Sequence, residues 1–331
     1  MGAELAIDSL KGKNINIQLK VFDTEARNTK INEFLSSNEL EDVDVIIGPL
    51  YSDEVKKVAN QVNVPVVFPV FSKVQTGFSS TKIVKTSPDK KYYKEKLLSH
   101  VLERYNNENI IIVGDSTESS MIEIKQISNI LKQHDSIDVV HELIPHNGYI
   151  AQDRFLKIMK SDTTEVFNWV ILATNNDVVA SDAINSLISF PDPEEPEEGE
   201  EPEEKINYLV KVFGFEKTTI VNNNKLAQLN FVYVTDTYID ESSETAKIFN
   251  AQYLKRNNAL PSYYATRGFD VVYDVIMRMS SGDKLEETYR KGVSYRLESK
   301  FDFEKRLFGI TNNTGLYLLE FNNDLTLKRL D

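Results

Sequence analysis

Residues 43–72 read VDVIIGPLYSDEVKKVANQVNVPVVFPVFS. Asp44-Val45-Ile46-Ile47 is a short apolar run that ends at Gly48-Pro49, and Ser52 stands where a helix would begin. Val55, Val58, Ala59 and Val62 then recur at helical spacing. A second apolar run, from Pro65 to Pro69, ends at Phe71-Ser72. Strand, loop, helix, strand and loop in that order make one parallel βαβ unit. Both loops fall at the carboxyl ends of their strands, where open α/β sheets bind ligands. The stretch therefore points to ligand recognition, and it contains no obvious reaction chemistry.

Working outward, strand and helix patterns alternate along most of the 331 residues. A helix is expected at 2–10, a strand at 15–22 and a helix at 26–35. A short strand is expected at 82–85, followed by a helix with Ser87 as its cap and Pro88 at its first position. Tyr93, Leu97, Val101 and Tyr105 would form the inner stripe of that helix. A second alternating series runs from 110 to 234. Two series of this kind predict an α/β protein with two doubly wound parallel-sheet lobes.

Composition narrows the function. The net charge of −13 argues against nucleic acid, which calls for a basic face. Much of that charge sits in PDPEEPEEGEEPEE at 191–204, and removing its nine carboxylates leaves −4. Dense like charge with Pro and Gly predicts a solvated loop within the second lobe, and the spacing of a calcium loop is absent. Cysteine is absent, which excludes thiolate chemistry and a disulfide framework. The four histidines show no metal-ligand spacing, and there is no Walker loop, GxGxxG or GxSxG. The expectation is a non-enzymatic protein without cofactor or metal. No apolar run approaches the ~20 residues that span a bilayer. MGAELAIDSL opens directly on a helical pattern, from which an upstream segment, removed or lying beyond this sequence, is expected.

Several pieces together resemble the type I periplasmic binding proteins, the Leu/Ile/Val-binding and receptor ligand-binding-region group. They are GAELAIDSL (2–10), LKVFDT (19–24), DVDVIIGPLYS (42–52), VPVVFPVFS (64–72), KTSPDK (85–90), IIIVGDS (110–116) and PSYYATRGFDVVYDVI (261–276). LVKVFGFEK (209–217) and FVYVTDTYID (231–240) are similar to a Bacteroidetes envelope group whose modules often follow peptidoglycan-binding LysM repeats. The same fold appears in lipoprotein activators of peptidoglycan synthases. The family begins with a strand before the GAELAID helix, and this sequence has none there. That departure leads us to expect the first lobe to be the weaker one.

The resemblance implies a first lobe of 1–86 plus 243–295 and a second of 87–242 plus 296–331, joined by three chain crossings that form a hinge, with a ligand cleft between them. It also implies a periplasmic or cell-envelope location and a solute-binding function of the kind that serves ABC transporters. The ligand is then a small polar molecule, with an amino-acid-like one as the candidate. The alternative is a regulatory or protein-interaction module in peptidoglycan assembly with a vestigial cleft, its partner a peptidoglycan-related protein or fragment.

Residue by residue, Gly48-Pro49-Leu50-Tyr51-Ser52 could hold an anionic group at a helix N-terminus, or Ser52 could merely cap that helix. Family members place ligand-contacting Ser or Thr where Phe71-Ser72-Lys73 stands, although Lys73 is not typical of amino-acid binders. Tyr51 and Phe71 could wall the cleft or simply pack. In the second lobe Ser116, Thr174 and Glu216 end their strands and would face the same cleft. Glu216 could pair with a ligand amine or begin an exposed helix.

Overall fold

The computed structural model describes residues 1–13, 15–146, 148–161, 166–190, 208–305 and 309–331. The acidic run at 191–204 lies outside them. Along the chain come α1 (Gly2–Leu10), α2 (Asn28–Ser36), β1 (Ile46–Ile47), α3 (Ser52–Gln61), β2 (Val66–Phe68), β3 (Ile83–Lys85) and α4 (Lys90–Arg104). Next are β4 (Asn109–Val113), α5 (Glu118–Leu131), β5 (Val140–Leu143), α6 (Gln152–Leu156), β6 (Asn168–Leu172), α7 (Asp177–Ile188), β7 (Val210–Gly214), α8 (Asn223–Gln228) and β8 (Val232–Thr235). The chain continues with α9 (Glu244–Asn257), α10 (Tyr263–Met279), β9 (Ser294–Tyr295), β10 (Lys300–Phe301), β11 (Phe303–Lys305), β12 (Thr311–Asn313), β13 (Tyr317–Phe321) and β14 (Leu327–Arg329).

These elements fall into two compact units, one of residues 1–92 and 236–316, the other of residues 93–235 and 317–331. The first holds the sheet β1-β2-β3-β12-β11, parallel except for the antiparallel pair β11–β12. Its strands alternate between two apolar clusters, as a sheet covered on both faces requires. Val66, Phe68 and Ile83 pack with Val55, Val58 and Ala59 of α3, whereas Val67 and Val84 pack with Val271 and Val275 of α10. Helix α1 lies on α10, burying Leu5 and Ala6 against Ala265, Phe269 and Val272. The approach is close enough that a Cβ on Gly2 would lie 1.8 Å from the Ala265 carbonyl oxygen, so only glycine fits.

The second unit holds the sheet β14-β13-β8-β7-β6-β4-β5. Its strands β4 to β8 are parallel, and β13 and β14 close one side antiparallel. Every residue of β4 and β6 is buried, which the unbroken runs NIIIV and NWVIL require.

Three expectations are corrected. The chain passes between units at 92/93, 235/236 and 316/317, so 296–316 and 236–242 belong to the first unit and not the second. Residues 296–316 are held there by β12, which pairs parallel with β3 through Thr311↔Val84 and Asn312↔Lys85, and 236–242 by the Thr237↔Ser299 bridge and the Tyr238 amide bond to Glu298 O. Residues 15–22 are irregular and pair with no strand among the described residues, leaving Leu19 and Val21 exposed. An alternating segment becomes a strand only where a neighbour's ladder receives it. Finally, α4 starts at Lys90 and not at Pro88, and the hydroxyl of the expected cap, Ser87, accepts from the buried Arg267.

Candidate functional site

The loops after β1 and β2 bring two of the expected site residues together. Ser52 Oγ donates to Ser72 Oγ at 2.7 Å. Gly48, at φ +103°, makes the turn that leads the chain from β1 into α3. The residue capping α3 is Tyr51, and no side chain caps that helix. The Ser52 hydroxyl is therefore turned to its neighbouring loop and not to its own helix. Ser72 Oγ accepts from Ser52 Oγ and, at 3.4 Å, from the Val74 amide, which leaves its own proton to be donated elsewhere. Beside this pair Tyr51 is 58% exposed and Phe71 38% exposed, and the Lys90 ammonium lies 5.2 Å from the centre of the Phe71 ring.

Beneath the pair runs a buried polar network that the sequence reading missed. Gln75, only 1% exposed, accepts from the Ser72 amide at 3.1 Å and donates to Ser87 O at 3.0 Å and Asp89 Oδ1 at 2.8 Å. Asp89 also pairs with the Lys85 ammonium at 2.6 Å, both side chains being buried. Arg267, 2% exposed, donates to Pro69 O, Ser299 Oγ, Thr86 Oγ1 and Ser87 Oγ at 2.8–2.9 Å. Asn313 donates to Thr86 O and Lys300 O and accepts from the Asp302 and Gly315 amides. The stretch 85–89 is thus held from three sides. The one sequence signal for this network was PSYYATRGFD, whose Arg267 sits within an apolar helical stripe.

Carboxylates line the same region. Asp270 is fully buried and accepts from the amides of Leu297, Glu298 and Ser299. Burial nevertheless holds its pKa above the usual carboxylate range. Glu298 is 5% exposed and its Oε1 has no hydrogen-bond partner. Burial, with the negative charges of Asp270 and Asp236 adding to it and Arg267 opposing, pushes its pKa up to about 7.

In the second unit the strand ends place the residues differently. Ser116 and Glu216 are exposed, and Thr174 is half-buried. Thr174 donates to Asp115 Oδ2 at 2.5 Å and accepts from the Asn176 amide at 2.9 Å. Its hydroxyl proton is therefore committed within the unit. Asp115 also accepts from the Thr117 amide and hydroxyl. Burial alone would raise the Asp115 pKa, but the bonds from Thr117 and Thr174 outweigh it and hold the carboxyl below its usual range. A concavity of about 390 Å³ on the first unit, lined by Leu5, Asp8, Ser9, Gln252, Lys255 and Arg256, includes none of the strand-end residues. Among the described residues no group of three His, Cys, Asp or Glu could hold a metal ion, and no helix is long and apolar enough to cross a membrane.

No family model matches this chain, and no curated protein does. Solved structures do. A putative branched-chain amino acid ABC transporter protein from Rhodospirillum rubrum superposes with a TM-score of 0.64 at 12% identity, over 99% of this chain and 93% of that one. An ABC transporter substrate-binding protein from Desulfitobacterium hafniense, in complex with Leu, gives 0.53 at 13% identity over 99% and 94%. Haemophilus influenzae LpoA gives 0.53 at 10% identity, over 100% of this chain and 55% of that one. The fold is that of the type I periplasmic binding proteins. At this level of identity the likeness extends to the fold and no further.

Proposed function

We propose that the chain is a non-enzymatic ligand-binding module of the cell envelope whose ligand is a small, polar, amino-acid-like molecule. What carries this reading is the Ser52–Ser72 pair at the ends of β1 and β2, with one hydroxyl proton left to donate. It stands at the N-terminus of α3, a helix of 10 residues that no side chain caps. Amides and a hydroxyl grouped there suit a carboxylate. Tyr51 and Phe71 supply apolar contact for the rest of the ligand.

The test is a thermal-shift screen of the intact chain against the proteinogenic amino acids, short peptides and muropeptide fragments. A ligand of this class should raise the melting temperature as its concentration passes Kd. It should do so much less in Ser72→Ala. If nothing in the panel shifts the wild type, the solute-binding reading falls. The alternative is then a regulatory module in cell-envelope assembly. The observation favouring it is that Leu50, Tyr51, Phe71 and Val74 all expose apolar surface on these same two loops.

A further inference from the structure

We propose that Gln75 transmits the state of the Ser52–Ser72 pair to residues 85–92, the segment by which the chain leaves the first unit; its ligand-dependent part rests on the binding reading above. Gln75 is a polar side chain turned fully inward from a loop whose neighbours Lys73 and Val74 are exposed. A buried amide persists only where its groups are bonded, and here each bond leads somewhere specific. The carbonyl oxygen takes the Ser72 amide, and the nitrogen reaches Ser87 O and Asp89 Oδ1. The carboxamide is planar and rigid, so a shift of Ser72 that drags its oxygen also displaces its nitrogen. Asp89 is in turn locked to Lys85, the last residue of β3. Three residues after Asp89 the chain crosses to the other unit.

A second tie joins the same two stretches without touching Ser72. Arg267 links Pro69 O to Ser87 Oγ. It holds the base of the loop and of the outgoing segment together whatever happens at the serines. Of the ties described here, only Gln75 connects the Ser72 amide itself to 87–89. That makes it a positioning residue whose loss should uncouple the site from the segment while the surrounding clamp stays in place.

The experiment has a ligand-free arm and a ligand arm. In the first, Ser52→Asp places a tethered carboxylate beside the Ser72 hydroxyl, and amide hydrogen exchange is read at 85–92. In the Gln75 background the exchange should change by about 2- to 10-fold, the scale of one hydrogen bond made or lost. In Gln75→Leu and in Gln75→Glu, which keeps the acceptor for Ser72 but repels Asp89, the change should vanish. Unaltered exchange at 271–275, on the buried face of α10 in the first unit, checks that each variant is folded. An equal response in all backgrounds, or none with Gln75 present, overturns the proposal. In the second arm L-leucine is titrated into wild type and Gln75→Leu. Binding to wild type with protection at 85–92 that Gln75→Leu lacks supports the relay. Equal protection in both overturns it. If L-leucine binds neither protein, leucine is not the ligand, and the ligand-free arm still decides the role of Gln75.

Discussion

Ser52 and Ser72, twenty residues apart in sequence, meet through a single 2.7 Å hydrogen bond in which Ser52 is the donor. The direction makes the two serines unequal. Ser72 keeps a proton to give, and Ser52 orients it.

Ser72→Ala removes the donor itself and should weaken ligand binding by about 0.5–1.5 kcal/mol, more if the ligand group is charged. Ser52→Ala should cost less, because it frees the Ser72 hydroxyl without deleting it. Isothermal titration with a ligand from the thermal-shift screen measures both. Equal affinities for both variants and wild type would remove the pair from the site.

Arg267 predicts a stability effect. It donates four hydrogen bonds to carbonyl and hydroxyl oxygens, and none of its described bonds is to a carboxylate. Arg267→Met takes the donor away from four buried acceptors, and should destabilise the first unit by about 3–5 kcal/mol. Arg267→Lys should rescue little, since an ammonium cannot span acceptors set for a planar fork. Urea unfolding followed by hydrogen exchange in each unit would locate the loss. A loss in the second unit alone would contradict the assignment.

The parallel core was legible because its signal is local. NIIIV, NWVIL and PVVFP are apolar runs that can be read without knowing their neighbours. What failed depended on partners. Residues 15–22 have a strand's alternation but find no ladder, while Thr311–Asn313 has no strand pattern and is one, buried between β3 and β11. Gln75 and Glu298 were illegible for the same reason, since a lone polar residue does not announce that tertiary packing will bury it. Ser52 and Ser72 could be named because strand ends in an open sheet are predictable positions. A measurable consequence is uneven protection: amides at 15–22 should exchange orders of magnitude faster than those of β4 and β6. Equal protection would mean that 15–22 finds a ladder in solution.

Asp115 predicts a pH effect in the second unit. Its carboxyl is held below the usual range, so its contribution is present above the unfolded value of 3.8 and is lost as pH falls through the folded one. Asp115→Asn cannot accept at both positions and should lower stability by about 1–3 kcal/mol at pH 7. The gap to wild type should narrow in acid. A gap constant from pH 7 to pH 2 would show that the charge is not what matters.

Glu298 has the opposite sign. Its folded pKa of about 7 lies above the unfolded value of 4.5, so between those two values the folded state binds the extra proton. Stability should therefore fall as pH rises through this window, by at most about 3 kcal/mol. The physical cause is a buried carboxylate with one oxygen unpartnered, facing the negative charges of Asp270 and Asp236 with only Arg267 in opposition. Glu298→Gln removes the charge and keeps the shape. It should change stability little at pH 5 and raise it at pH 8, so the difference between the two proteins isolates this group from every other that titrates. Denaturant unfolding at the two pH values gives that difference. If Glu298→Gln is no more stabilising at pH 8 than at pH 5, Glu298 is not protonated near neutrality, and the folded protein must supply its carboxylate with a partner.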